Sequence, residues 1–239
     1  METFKPGLVV VPNEAGARAV DDAIEDSVPT KILRVSLGVD DSRRWKSLLD
    51  LAADASNPSA LDQNKLLEDA RNDEPQRIYS VLFTSGTSVG RPKGCPQRVD
   101  AMTHWLHSQS WLINEDNCAK VLQQADKSRA IGPALTLQTW REGDTVALPG
   151  TRSFAIEDTI QAILKQRVTF IVLSPAMVYA LAEVLQVASY HPSKLDSVRT
   201  IHLGGEAVTR DVLLKCATLF PSAKVCLNHG MTEGGGFFT

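Results

Sequence analysis

The chain has 239 residues, 43% of them hydrophobic, which fits one large or two small globular domains and argues against disorder. A formal net charge of -3 leaves no electrostatic footprint for nucleic acid or an anionic membrane surface, so a small-molecule ligand is the default expectation. No run reaches the roughly 20 apolar residues of a membrane helix. Glu2, Glu14, Asp21 and Asp22 stand where a secretory signal has its basic start and apolar stretch, and Cys95, Cys118, Cys216 and Cys226 form neither a CxxC pair nor a dense disulfide pattern. A cytoplasmic protein with free thiols is expected.

In chain order, strand-like runs fall at Leu8–Val11, Lys31–Leu37, Ile78–Thr84, Thr169–Leu173, Thr200–Leu203 and Lys224–Leu227, mostly separated by helix-like stretches. That alternation predicts an α/β fold with a mostly parallel sheet and helices on both faces. Early in the chain, Ala19, Ala23 and Ile24 make a weak helical face and Trp45, Leu48, Leu49 and Ala52 a stronger one. Residues 54–76 are rich in Asp, Asn, Pro and Ser and read as a surface connection with one short helix around Lys65–Ala70. A leading segment, 1–74, is thereby separated from a core segment, 75–239. Farther on, Trp105, Leu106 and Trp111 are expected to pack against the sheet. His104 and His107 lie three apart on a predicted helix, a spacing that suits a metal only if further ligands converge, and no HExxH accompanies them.

Ile156, Ile160, Ile163 and Leu164 recur at i, i+4, i+7, i+8 and predict a helix with one apolar face. Ser174 followed by Pro175 reads as an N-cap and first helical residue, with Val178, Leu181 and Leu185 as the buried stripe. The unit repeats with Thr209 as cap, Val212, Leu213 and Cys216 as stripe, and Pro221 as stop.

Chemistry concentrates after the Ile78–Thr84 run, in Thr84-Ser85-Gly86-Thr87-Ser88-Val89-Gly90-Arg91-Pro92-Lys93-Gly94. Three glycines let the backbone approach a ligand, hydroxyls and free amides donate to phosphate oxygens, and Arg91 and Lys93 add positive charge. Such a loop at the carboxyl end of a parallel strand is where α/β sheets bind ligands. A plain glycine- and serine-rich turn is the competing reading. A Walker loop is excluded, because only three residues separate Gly86 from Gly90 and Lys93 stands between Pro92 and Gly94. Leu203-Gly204-Gly205-Glu206-Ala207 and Asn228-His229-Gly230-Met231-Thr232-Glu233 each follow a strand, so all three loops are expected at one crevice.

The first of these stretches resembles the Thr-Ser-Gly-Thr-Thr-Gly-x-Pro-Lys-Gly signature of the adenylate-forming superfamily, which includes acyl-CoA synthetases, luciferases and nonribosomal peptide synthetase adenylation domains. The Gly-Gly-Glu and Gly-x-Thr-Glu segments follow in that superfamily's order. The chain is identified as similar to the N-terminal, ATP-binding half of such enzymes, fungal acyl-CoA-synthetase-like proteins among them. Val89 is one residue more than the signature carries, and His229 stands where the family has a tyrosine on the base. Around Ala125–Ile131, where the family places an aromatic or histidine beside the acyl pocket, this chain has Asp126, Lys127, Ser128 and Arg129.

The resemblance implies ATP-dependent activation of a small carboxylic acid as its acyl-AMP, with ATP and Mg²⁺ bound and CoA or a phosphopantetheine carrier protein as acyl acceptor. Thr84, Ser85, Gly86, Thr87, Ser88, Gly90 and Lys93 are implied to hold phosphates, and Gly204, Gly205, Glu206, His229 and Gly230 to border the adenine. Thr232 is implied to contact the α-phosphate and Glu233 to ligate Mg²⁺, making Lys93, Thr232 and Glu233 the implied catalytic set. Family members also carry later segments that supply a ribose-binding aspartate and a mobile lysine. This sequence shows neither after Glu233, so it is expected to need a longer product or a complementing chain for turnover. The alternative is a truncated, non-catalytic nucleotide-binding or interaction protein.

Overall fold

The computed structural model describes residues 7–24, 32–38, 44–54, 62–84, 90, 92–109, 119–125, 129–149, 154–187 and 195–238. Lys31, Ser85, Gly86, Thr87, Ser88, Val89, Arg91, Trp111, Cys118, Asp126, Lys127 and Ser128, all singled out above, lie outside these. The chain divides into two compact units, Met1–Asp73 and Glu74–Thr239.

In the first unit, β1 (Leu8–Val11), β2 (Leu33–Ser36) and β3 (Lys46–Ser47) pair in parallel in that order, with α1 (Glu14–Ile24), α2 (Leu48–Asp54) and α3 (Gln63–Arg71) following the chain. Asn13 starts α1 by accepting from the Gly16 amide at 3.0 Å. The helix buries Ala17 and half-buries Val20 against Val9, Val11 and Trp45, while Ala19 and Ala23 are exposed. The expected alanine face therefore points outward, because turning Val20 inward buries more apolar surface. Trp45 leaves its expected helix as well. Ser47 Oγ accepts from the amides of Leu49 and Asp50 at 3.2 and 3.4 Å, so α2 starts after Trp45 and leaves Leu48, Leu49 and Ala52 exposed. Trp45 is instead held by its Nε1, which donates to Asp21 Oδ2 at 3.1 Å; the other oxygen of Asp21 accepts from Arg34 Nη1 at 2.5 Å. α3 covers the short helix expected around Lys65–Ala70, and Asp62 caps it by accepting from the amides of Asn64 and Lys65.

The second unit holds an antiparallel pair, β4 (Ile78–Thr84) with β5 (Lys93–Arg98), and then α4 (Val99–Ser108). Its main sheet comprises β6 (Lys120–Leu122), β7 (Thr145–Ala147), β8 (Phe170–Leu173), β9 (Thr200–Gly204), β10 (Lys224–Met231) and β11 (Gly235–Phe238). Their spatial order is β11-β10-β9-β8-β6-β7, with β10 through β7 parallel and β11 antiparallel at the edge. The connecting helices are α5 (Ile131–Arg141), α6 (Ile156–Gln166), α7 (Pro175–Val187) and α8 (Arg210–Leu219).

Strand alternation sorts these helices onto two faces. Leu122, Ile171, Leu173, Ile201 and Leu203 point into one core with Ile160 and Ile163 of α6, Val178, Leu181 and Leu185 of α7, and Val212 and Cys216 of α8. Val121 and Phe170 point the other way and meet Leu135 of α5. The expected stripe of α7 is buried as read, that of α6 is buried at Ile160 and Ile163 and half-buried at Ile156 and Leu164, and Ser174 Oγ caps α7 by accepting from the Met177 amide at 3.3 Å. In α8, capped by Thr209, Leu213 falls outside the stripe at 37% exposure. No helix among the described residues is long and apolar enough to cross a membrane.

The sheet reverses direction between β6 and β8. From β6 the chain steps outward to β7, then returns past β6 to β8 and proceeds to β9 and β10. In parallel α/β sheets the crevice above such a reversal is the usual ligand site. β3, β5, β6, β7 and β11 are strands beyond the six expected runs, and β5 makes the Ile78–Thr84 region an antiparallel hairpin, not a strand of the parallel sheet. Pairing with a contiguous partner closes the smaller loop, which is the cheaper one in chain entropy.

Two measurements check this packing. The Cys216 thiol is fully buried, and burial pushes its pKa up to about 11. An unfolded thiol ionises from about pH 8.5, so stability linked to Cys216 is fully present below that pH and lost as pH rises toward 11. Relative to Cys216→Val, the parent is expected to lose about 2–3 kcal/mol between these limits in denaturant melts. At Gly204, an added Cβ would lie 2.4 Å from the Asn228 carbonyl oxygen. Gly204→Ala must push β9 from β10 and is expected to cost about 1–3 kcal/mol in the same assay.

Candidate functional site

The third signature begins inside a strand. Asn228, His229, Gly230 and Met231, expected as loop, continue β10, because β11 turns back and pairs His229 with Phe238, Gly230 with Gly236 and Met231 with Gly235. Backbone groups that a loop would leave to water are thereby satisfied. Only Thr232–Gly234 forms the turn, closed by a Gly234 amide donating to Met231 O at 3.3 Å. Thr232 is half-buried and Glu233 exposed.

The second signature ends β9. Gly204 pairs with Asn228, and the 2.4 Å approach of that residue's carbonyl explains the glycine by strand packing. Gly205 has φ +84°, a left-handed conformation that glycine adopts without strain, and a Cβ there would meet nothing within 4 Å. Glu206 is exposed beside it.

The first signature sits in the β4–β5 hairpin, so its loop follows an antiparallel strand where a parallel one was expected. Thr84 pairs with Lys93 at the mouth, and Gly90 in the connection takes φ +70°. Along β5 the two-residue period puts Lys93, Cys95 and Gln97 on one face. That face meets the third signature: Cys95 Sγ donates to Thr232 O at 3.4 Å and Gln97 Nε2 donates to the same oxygen at 3.1 Å.

Between the hairpin, α4, α5 and the sheet lies a cavity of about 740 Å³. Met102 and Trp105 line it from α4, Ile131 and Leu135 from α5, and Phe170, Val172 and His202 from the sheet. Gly204, Gly205, Gly230, Thr232 and Glu233 close one side together with Gln97. The walls are largely apolar with a few polar groups among them, the composition of a small-molecule site. The cavity lies where the sheet reverses, since Ala125 follows β6 and Ser174 follows β8.

Burial raises the pKa of the Cys95 thiol, and the nearby Glu233 charge raises it further, against a hydrogen bond from Gln97 that lowers it. The thiol therefore remains a neutral donor beside the turn. Burial likewise raises Tyr79, which lines the cavity. Trp105 Nε1 and Gln138 Oε1, on cavity-lining residues, have no hydrogen-bond partner among the described residues.

Of the residues implied by the sequence, Gly204, Gly205, Gly230, Thr232 and Glu233 thus share one cavity, whereas Thr84, Gly90, Lys93, Glu206 and His229 do not line it. Trp105, expected only to pack on the sheet, lines the cavity, and His107 is turned aside to Arg141 Nη2 at 3.1 Å. Among the described residues no group of three or more His, Cys, Asp or Glu could hold a metal. Glu233 alone still fits Mg²⁺, which keeps most of its water and takes one or two carboxylates plus substrate phosphates. Sequence reasoning missed Gln97, Met102 and Gln138. The alternation from Lys93 through Cys95 to Gln97, and the spacing of Met102 and Trp105 on α4, are the signals that point to the first two.

Comparison with known proteins identifies the family and the fold. The AMP-binding enzyme family matches residues 4–239. An acyl-CoA ligase of the fungus Pestalotiopsis microspora is 46% identical over the whole chain, which spans 40% of that ligase. A D-alanine–D-alanyl carrier protein ligase of Streptococcus pyogenes is 29% identical over 160 residues, covering 65% of this chain and 30% of the relative. Among solved structures, the luciferase-like enzyme of the mealworm Zophobas morio superposes with a TM-score of 0.76 at 22% identity, covering 97% of this chain and 50% of its own. An amide bond synthetase of Marinactinospora thermotolerans gives 0.71 at 24% identity, over 96% and 42%. The chain spans less than half the length of the curated relatives it matches, and it belongs to the AMP-binding enzyme family.

Proposed function

We propose that this chain forms the nucleotide and acid site of an enzyme that activates a carboxylic acid as its acyl-AMP at the expense of ATP. The observation that carries the reading is the hydrogen-bonded junction of hairpin and turn, which sets the Lys93 face of β5 against Thr232 and Glu233 at the rim of an apolar cavity.

In this reading the adenine lies along Gly204 and Gly205, where the open side of Gly205 leaves room for a flat ring. Glu206, His229 and Gly230 border it, and Thr232 meets the α-phosphate. Glu233 would hold the Mg²⁺ that accompanies the triphosphate, and the metal would supply neutralising charge there. Thr84, Ser85, Gly86, Thr87, Ser88, Gly90 and Lys93 hold the departing phosphates. The acid's tail fills the cavity between α4 and α5, bringing its carboxylate to the α-phosphorus for in-line attack. The protein contributes position and charge neutralisation, with little covalent chemistry required of it. Transfer of the acyl group to the thiol of CoA or of a carrier protein follows, as the names of the relatives suggest.

Calorimetry tests the nucleotide half of the reading. Lys93→Ala is expected to weaken ATP–Mg²⁺ binding by about 1.5–3 kcal/mol, the worth of a charge-assisted contact; equal affinity in parent and variant would remove Lys93 from the phosphate site. Glu233→Gln preserves shape and removes charge, so the increase in ATP affinity on adding Mg²⁺ is expected to disappear. A variant that keeps it overturns the metal assignment. For the acid half, a non-hydrolysable acyl-adenylate with an apolar tail is expected to bind at least about tenfold more tightly than AMP, the worth of burying one or two methylenes. Equal affinities would show that the cavity takes no acyl group.

A further inference from the structure

We propose that Gln97 is a positioning residue that locks the Thr232–Gly234 turn onto the β4–β5 hairpin, and so fixes the Thr232 and Glu233 side chains for the nucleotide. Three contacts carry this. Gln97 Nε2 donates to Thr232 O at 3.1 Å, the same nitrogen donates to Cys95 Sγ at 3.3 Å, and Cys95 Sγ donates to Thr232 O at 3.4 Å. The two amide hydrogens of Gln97 are both used, the sulfur accepts one bond and donates another, and the carbonyl accepts two. The circuit closes without a leftover donor.

Among the described residues, Cys95 shares this task by donating to the same carbonyl, and Gln97 holds both partners. The Gly234 amide closes the turn locally on Met231 O at 3.3 Å, which sets its shape but not its place relative to the hairpin. Gln97 and Thr232 are 135 residues apart in sequence, so their bond joins two segments whose relative position no local rule determines. The carbonyl it grips belongs to the residue whose side chain is read as contacting the α-phosphate, and the next residue is the Mg²⁺ carboxylate. A rotation of this peptide moves both groups together. The amide orientation is determined by chemistry, because the flipped form would set Gln97 Oε1 against the Thr232 oxygen, two acceptors face to face. Sequence alternation supplies the rest: Lys93, Cys95 and Gln97 share one face of β5, so the strand that presents Lys93 also holds the turn.

The consequence for nucleotide binding rests on the function proposed above, and the experiment separates the two. Gln97→Leu removes the donor, and Gln97→Glu keeps the shape but cannot donate as a carboxylate. Hydrogen exchange read at the Gly234 amide without ligand is expected to quicken about tenfold in both, the value of one lost hydrogen bond, with the paired amides of β4 and β5 unchanged. ATP–Mg²⁺ affinity is expected to fall about tenfold in both, and by less than about twofold when Gln97→Leu is added to Glu233→Gln, because residues acting through one unit are not additive. Unchanged exchange at Gly234 would overturn the positioning role whatever the nucleotide does. Faster exchange in a protein whose parent binds no ATP–Mg²⁺ would uphold the lock and remove the nucleotide reading of the site. Equal and additive losses in the two backgrounds would show that Gln97 does not act through Glu233.

Discussion

Burial of the central strands on both faces is the constraint on which the second unit rests. Val121, Phe170, Ile171, Leu173, Ile201 and Leu203 are each at most 4% exposed, so no face of β6, β8 or β9 is free to meet water. A strand in that position must be covered from above and below, which places α6, α7 and α8 on one side and α5 on the other. Once the sheet is covered this way, its accessible parts are the strand ends. The loops after β6, β8, β9 and β10 are there, and so is the cavity.

The cavity follows from the order in which strands were added. Because β7 lies outside β6 and β8 inside it, the loops following β6 and β8 diverge and leave a crevice between them. α5 covers the sheet face beside that crevice, and α4 together with the hairpin closes it. Phe170 and His202, whose ring centroids are 4.8 Å apart, form part of its floor, so the same strand residues that close the second core also shape the site. Packing and binding share residues here, and a change in the floor would be felt in both.

The glycines of the signatures divide between two physical causes. Gly204 is required by the neighbouring strand, since the backbone of Asn228 occupies the place of a side chain. Gly205 and Gly90 are required by their left-handed backbones, with open space beside them. Both glycines of the Gly-Gly pair line the cavity, but Gly204 is fixed by strand packing and Gly205 by its backbone conformation. A motif read as wholly functional carries a packing requirement inside it.

Local periodicity made much of this legible in the residues alone. The stripes of α6 and α7, the Ser174 and Thr209 caps, and the runs at Leu8–Val11 and Ile78–Thr84 were set by side-chain spacing and cap chemistry, which act within a few residues. The family, too, was legible, because its signatures are runs of backbone-specific residues. What the chain alone left open depended on partners distant in sequence. β5 is a strand because β4 pairs with it, the end of β10 is a strand because β11 returns, and Trp45 leaves its helical pattern because Asp21 holds its nitrogen. Strand alternation places Gln97 on the Lys93 face of β5, but its task is set by a carbonyl 135 residues away. Short-range spacing determines which elements can form and which residues can bind; only the assembled sheet and hairpin decide which of those groups meet, because a hydrogen bond is a relation between positions that the sequence does not place together.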